Sequence, residues 1–460
     1  MNARLIKAWQ DLHSSYYFIP GLMALGACVL AYITSHLDQS LEIELTKNLG
    51  FFYTNTAESA RVILSTIAGS MISVAAVTFS ITMVAVTSAA GQYGPRLIGN
   101  FMRDRGNQFT LGMFTSTFIY CLLILRVVRT GAGDGGDIVD FVPNVSLLVG
   151  IGLTLLSVAV MIFFIHHIPE TLNVGNITGN VGRQLRRDLE MLYPEGLGEG
   201  PHNDDPDTSA LEPESAIQIN ARAEGYIQAV NDDALMALAK KHNAVVSMEY
   251  RPGDFVTKGN SLMSVWTEAD IDETAITKFR NGFAMGQERT AHQNVLFLAD
   301  ELVEILARAL SPGINDPFTA INCINWFHSA VKAVMRGTPP SPYRYDKEGV
   351  FRIIARPISF GRFVSVLCDQ SRPYIAKDRN ATIKMLTVLT ELVFEASDEE
   401  HIAVLHDQLK KLRAASLHYL EDDAEQEDLI ERFDMSARMV SDDAYFKAMR
   451  YSEHWIGGRA

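Results

Sequence analysis

Hydroxyl side chains recur at helical spacing inside an uncharged stretch of the chain. We call them the hydroxyl stripe, and its members are Thr66, Ser70, Ser73, Ser80 and Thr87. Steps of three, four or seven residues place them on one face of a helix. There they could replace part of an ion's hydration shell in a wetted path. They could equally support helix packing, because small and hydroxyl residues let helices approach closely in lipid.

A predicted hinge and a group of basic residues follow the hydroxyl stripe. Glycine and proline end or bend helices, which makes hinge candidates of Gly91, Gly94 and Pro95. The predicted inner-mouth charges are Arg96, Arg103 and Arg105. These arginines would favour anions, whereas acidic loops on the other side would concentrate cations, so the sequence leaves the ion selectivity open.

Polar residues around a Pro/Gly break between two apolar helices form the best candidate for a site in the water-exposed part of the chain. They are Glu288, Arg289, Asn315 and Asp316. Loop residues between packed helices often carry binding function. Helix capping, however, also explains Asn315 and Asp316 without any ligand. The sequence favours this structural interpretation.

Known catalytic and cofactor motifs are missing from the sequence. It contains no Walker loop, no G-x-G-x-x-G after a strand, no HExxH and no G-x-S-x-G. The four cysteines lie far apart without a CxxC pair, which argues against a zinc site. We therefore expect no enzyme activity, no metal and no cofactor. The net charge of −14 argues against nucleic acid as a partner.

The elements that must position the hydroxyl stripe are membrane spans. The hydrophobic content of 48% is concentrated before about residue 170. The uncharged run from Val62 to Pro95 would form a helix roughly 50 Å long, against a hydrocarbon core of about 30 Å. The sequence predicts spans at Tyr16–Ser35, at a long helix from Arg61, at Gln108–Leu125 and at Val145–Ile168.

Charge bias predicts the orientation. Basic residues gather at the N-terminus, in the loop after the second span and in the segment with Arg183, Arg186 and Arg187. The positive-inside rule places these segments in the cytoplasm of a bacterium, with both termini inside and the protein in the inner membrane. The acidic loops, including Asp38, are then expected outside.

The whole chain is predicted to be an α-helical membrane domain of four spans followed by a cytosolic α+β domain. The predicted parts are an interfacial lead (1–15), the membrane domain (16–170), a helix and acidic linker (171–214), a small β-rich module (215–270), a helical domain (271–420) and an acidic helical tail (421–460). The acidic tail is expected to pack weakly.

Ordered motifs across most of the chain resemble a known bacterial family. They are the segment Gly69–Arg129, GYIQAVNDDAL (Gly225–Leu235), RPGDFVTKGNSL (Arg251–Leu262) and RALSPGINDPFTA (Arg308–Ala320). The family is the predicted membrane protein family numbered 2254 among domains of unknown function. The resemblance implies the topology, and it brings neither an assigned activity nor catalytic residues.

Two functions are compatible with these features. The first is a homo-oligomeric ion channel, with its path lined by the second span and gated by the cytosolic domain. Four spans are too few to enclose a wide path alone, so several copies would surround it. The alternative is a non-conducting membrane scaffold or sensor whose cytosolic domain binds a ligand or a protein. The expected partners are lipid, other copies of the chain and, for the channel, ions.

Overall fold

Four long apolar helices confirm the predicted membrane domain. In the computed structural model they are α1 (Phe18–Ser40), α2 (Ala57–Tyr93), α4 (Arg105–Val127) and α5 (Asn144–Leu172), and the short α3 (Ile98–Met102) precedes α4. Each of the four long helices has the length and composition to cross a membrane. With 37 residues, α2 is roughly 55 Å long and exceeds the hydrocarbon thickness.

The structure describes residues 15–40, 56–95, 98–102, 104–129, 141–192, 206, 208–209, 211–291, 293–337, 341–420, 422–452 and 455. The interfacial lead apart from residue 15, most of the acidic linker, Arg96 and Arg103 therefore lie outside the described residues. The chain divides into two compact units. The first comprises the described residues of 10–91 and 95–173, and the second those of 92–94 and 174–460.

Within the first unit, α4 is the central helix. It packs against α1 and α5, and half of its most apolar window is buried. Its buried residues include Phe114, Tyr120 and Cys121. The helix α2 joins this core mainly through side chains such as Leu64 and Met71, and only 33% of its apolar window is buried. Most of α2 is thus uncovered by its own chain.

The prediction that Asp38 lies in a loop is wrong. Asp38 belongs to the last turn of α1 and is buried. Its carboxylate accepts hydrogen bonds from the amides of Val145 (2.8 Å) and Ser146 (3.0 Å) and from the Ser146 hydroxyl (2.5 Å). A carboxylate favours the positive end of a helix dipole. Asp38 therefore caps the N-terminus of α5 from a neighbouring helix.

The second unit contains two sheets. The five-stranded sheet has the order β1-β5-β3-β8-β7, and only β3 and β8 pair in parallel; the antiparallel three-stranded sheet has the order β4-β2-β6. The strands are β1 (Ile217–Asn220), β2 (Gly225–Val230), β3 (Val245–Met248), β4 (Phe255–Val256), β5 (Ser261–Trp266), β6 (Phe283–Gly286), β7 (Tyr343–Tyr345) and β8 (Phe351–Ile354). Residues beyond 270 thus complete the sheets of the predicted β-rich module.

Ten helices form most of the rest of the described second unit. They are α6 (Val174–Leu192), α7 (Asp232–Lys241), α8 (Glu273–Arg280), α9 (Val295–Ala309), α10 (Pro317–Arg336), α11 (Phe360–Ile375), α12 (Arg379–Glu395), α13 (Glu399–Tyr419), α14 (Asp423–Ser441) and α15 (Asp443–Met449). The amphipathic α6 buries Ile177, Val181, Leu185 and Leu189 and packs against α9 and α10. Its apolar spacing of four residues produces that buried face.

The acidic tail packs more closely than its composition suggests. Leu429, Phe433 and Phe446 are buried, and α14 packs against α12. The backbone carbonyl of Trp455 accepts a 2.9 Å hydrogen bond from Arg432, and the indole is buried. The expectation of weak packing is wrong because a few apolar residues at helical spacing suffice to bury one face.

Candidate functional site

All members of the hydroxyl stripe lie on the uncovered face of α2. Thr66, Ser70, Ser73, Ser80 and Thr87 are exposed in the single chain. The opposite face, with Leu64, Ile67, Met71, Ala75 and Thr78, is buried against the first unit. The stripe therefore does not serve packing between helices of one chain.

Each hydroxyl of the stripe already donates a hydrogen bond within α2. The acceptors are backbone carbonyls three or four residues earlier, at 2.7 Å for Thr66 and Thr87, 2.8 Å for Ser73 and 2.9 Å for Ser70 and Ser80. This arrangement satisfies the hydroxyl hydrogen without another helix. The oxygen lone pairs remain available as acceptors, which is what coordination of a cation requires.

Sequence reasoning missed other residues on the same face. At 100° per residue, Gly69 and Ala76 flank the hydroxyls, and no atom lies within 4 Å of the position that a Cβ of Gly69 would occupy. Val77 and Val84 also lie there, with 58% and 71% of their surface exposed. A scan for small residues at helical spacing would have found the first pair. The exposed face of α2 thus alternates the hydroxyl residues with bulky apolar ones.

Of the hinge candidates, Gly94 is the one whose backbone requires glycine. Its φ of +125° is strained for other residues, and α2 ends just before it. A Cβ at Gly94 would lie 2.7 Å from Oε1 of Glu304 in α9, within the second unit. Gly91, by contrast, lies inside α2 with open space around it. Pro95 follows Gly94 and is exposed.

Arg105 is the one predicted inner-mouth charge among the described residues. It begins α4 and is exposed. The preceding Asp104 caps α4 by accepting a 2.8 Å bond from the Asn107 amide, and its Oδ1 lies 2.9 Å from His167 Nε2. Oδ1 of Asp104 thus engages both the start of α4 and the imidazole, which gives this carboxylate a structural role.

The four candidate residues of the water-exposed part of the chain do not converge on one site. Arg289 forms a 2.5 Å ion pair with Asp300 near the start of α9, and the backbone carbonyl of Glu288 accepts from Gln228. Asp316 caps α10 through the Thr319 amide (3.1 Å), and its own amide bonds to Ala309 at the end of α9. Asp300 and Ala309 are about 14 Å apart along the helix.

The remaining site candidate also serves a structural purpose. Asn315 adopts a left-handed backbone conformation, with φ of +50°, in the turn before α10. Asparagine is one of the residues that tolerate this conformation. The contacts of Asn315 and Asp316 are consistent with the capping interpretation, in which these residues shape the turn and start the helix.

A small cavity lies between α6 and α10 in the second unit. Its volume is about 300 Å³, and its charged lining residues are Arg186, Glu190, Lys332 and Arg336. Arg186 pairs with Glu190 at 2.9 Å, and Lys332 pairs with Glu395 at 2.5 Å. In the sequence, Arg186 indicates only the orientation, and nothing local places it beside Arg336.

No cluster of histidine, cysteine and acidic residues suited to a metal ion occurs in the part of the chain that the structure describes. All four cysteines are free, and Cys121, Cys323 and Cys368 are buried. Burial raises the pKa of the Cys368 thiol to about 12. It raises the pKa of the Cys323 thiol as well.

Comparison with known proteins places these features in a family. Relatives include uncharacterized proteins of Mycobacterium bovis and Mycobacterium tuberculosis, each 27% identical over 383 residues, covering 81% of this chain and 71% of the relative. No solved structure matches the chain. The family model described as predicted membrane protein (DUF2254) matches residues 13–391. The chain therefore belongs to this family of predicted membrane proteins, as its ordered motifs suggest.

Proposed function

We propose that the protein is a homo-oligomeric ion channel of the bacterial inner membrane, with its path lined by α2 of several copies. The observation that carries the proposal is the placement of the hydroxyl stripe on the face of α2 that its own chain leaves uncovered. Lipid solvates such a stripe poorly, so another copy or water is the better neighbour.

The composition of the exposed face suits a gated path. Ser73 and Ser80 offer oxygen lone pairs, and Val77 and Val84 could form apolar constrictions that close by dewetting. Gly94 packs against Glu304 of α9, so a movement of α9 would displace the end of α2. Gating by the cytosolic domain follows from this contact as part of the proposal.

The test is the double substitution Ser73→Leu/Ser80→Leu in the purified full-length protein in lipid vesicles. We expect the parent to conduct ions, and the variant to keep its oligomeric mass and lose at least about tenfold in flux, because leucine narrows and dries the path. Flux is measured with an ion-sensitive dye, and mass by light scattering in detergent.

Two control variants separate a path from a packing seam. Ser73→Ala/Ser80→Ala keeps the close approach of helices and removes only the hydroxyl oxygens. Phe79→Leu changes an exposed residue of α2 outside the stripe and should conduct like the parent. Dissociation of the leucine variant, with the alanine variant still associated, would identify a seam and contradict the channel.

The cavity between α6 and α10 favours a second candidate, a non-conducting membrane sensor. Arg186 and Lys332 in its lining are paired with Glu190 and Glu395, and Arg336 adds a further positive charge, which suits a small anionic ligand. This function replaces the channel if parent vesicles carry no ion flux and calorimetry detects binding of inorganic phosphate that Arg336→Ala abolishes.

A further inference from the structure

The turn between α9 and α10 exposes two large apolar side chains. Phe318 has 75% of its surface exposed and Ile314 has 39%. Both belong to the segment Ser311–Phe318, which we call the α9–α10 turn. Removing exposed apolar surface of this kind from water lowers the free energy. A surface that removes these side chains from water would therefore be a suitable partner.

The α9–α10 turn carries no free charge that would resist such a partner. Asp316 is its only ionisable residue. That carboxylate accepts from both the amide (3.1 Å) and the hydroxyl (2.5 Å) of Thr319. The negative charge of Asp316 thus faces the N-terminus of α10, and the positive end of the helix dipole stabilises this charge.

The turn also holds its shape without a partner. The amide of Asn315 bonds to the Ser311 carbonyl at 2.9 Å, and that of Asp316 bonds to the Ala309 carbonyl at 2.8 Å. Pro317 at the first position of α10 fixes the backbone further. Little conformational entropy remains to be lost when Ile314 and Phe318 are buried.

A contact within the second unit favours lipid as the partner. Gly94, the residue directly after the membrane helix α2, packs against Glu304. Glu304 lies in α9 only about 8 Å along the helix before Ala309, where the turn begins. The turn is therefore close to the C-terminal end of α2, and the chain carries no charged residue from Val62 to Pro95 that would draw this end away from the membrane. We propose that Ile314 and Phe318 insert into the interfacial region of the bilayer.

The experiment uses the full-length protein in nanodiscs with the substitution Phe318→Trp. The matched control is Phe255→Trp, because Phe255 in β4 is also an exposed phenylalanine of the second unit, with 51% exposure. The parent signal of its four tryptophans is subtracted. We expect the fluorescence added by Phe318→Trp to be blue-shifted. Lipids brominated near the headgroup end of their acyl chains should quench this fluorescence about twofold.

The outcomes decide between three surroundings of Phe318. Quenching by brominated lipid at position 318, and not at 255, supports the insertion. A blue-shifted but unquenched signal would mean that a second copy covers the turn, and a red-shifted, unquenched signal would mean water; either overturns the proposal. Ile314→Trp repeats the test at the second side chain. The insertion requires α2 to span the membrane and does not depend on ion conduction.

Discussion

Asp346 shows how a single buried charge holds a loop of the second unit. Its carboxylate receives the guanidinium of Arg352 at 3.0 Å, and Arg352 also bonds to Asn243 at 2.8 Å. Burial favours a higher pKa for Asp346, but the hydrogen bonds from the Val350 amide and from Arg352 outweigh it, so the pKa lies below its ordinary value. The ionised form is therefore stabilised in the folded protein.

We expect Asp346→Asn to lower the free energy of unfolding by about 2 kcal/mol at neutral pH, because Arg352 is left buried without its counter-charge. A lowered pKa stabilises the fold above the ordinary carboxyl value and loses that effect as the pH falls through the folded-state value. The difference between variant and parent should therefore shrink below about pH 4. Urea unfolding of the detergent-solubilised protein across this pH range measures it.

Glu348→Gln in the same loop is the control for this charge. Its ion pair with Lys240 is more than half exposed on both sides, so the change should cost less than about 0.5 kcal/mol at any pH. Equal losses for the two variants would contradict the importance of burial. Sequence reasoning finds neither Asp346 nor Asp38, because the Arg352 and Ser146 that engage them become neighbours only in the folded chain.

At the scale of elements, α6 and α10 pack closely and in parallel. Thr178 bonds to Asn322 at 3.1 Å, and four residues later Gly182 faces Trp326. A Cβ on Gly182 would overlap the indole ring of Trp326. Glycine is therefore required here for close approach of the two helices.

We expect Gly182→Ala to destabilise the second unit by about 1–3 kcal/mol, because the indole must move out of its packed position. Gly179→Ala in the same helix is the control: its Cβ would lie 3.2 Å from the flexible end of Arg183 and 3.7 Å from Trp326. It should be neutral or slightly stabilising, since alanine favours helix. Urea midpoints compare the two, and a more damaging Gly179→Ala would contradict this packing.

Elements with a strong local period were predictable from the sequence. The span predicted at Val145–Ile168 lies within α5 (Asn144–Leu172), and Asp316 caps α10 as the residue pattern indicated. The four spans were identified by their apolar length. The observed helices extend past the predicted bounds, except at the start of the first span. Pairings over long separations were not predictable, such as β3 with β8, because nothing local records which strand lies beside which.

At the scale of the whole molecule, orientation in the membrane is the central prediction from charge. We expect both termini to be cytoplasmic, so that the acidic loop between α4 and α5 faces outward. A cysteine introduced as Asp137→Cys in a Cys28→Ser background should react with a membrane-impermeant maleimide in spheroplasts. A cysteine introduced as Phe255→Cys should react only after lysis.

The reverse labelling pattern would invert the topology and the assignment of the arginine-bearing end as the inner mouth. Orientation is a property of the chain in its membrane, so it is inferred from charge bias and not from the fold.

The candidate path likewise depends on the assembly. The sequence identified the hydroxyl stripe, and the fold of one chain shows its exposure, but only several copies together could enclose a path.

The interior thiols of the second unit have a chemical consequence for the living cell. Only a thiolate attacks alkylating agents and oxidants, and burial raises the pKa of the Cys368 thiol to about 12, so this thiol stays protonated at neutral pH. Cys323 is equally enclosed. Oxidative stress should therefore leave both sulfurs in the reduced state for as long as the unit stays folded, and damage at either sulfur would mark a protein that had already opened.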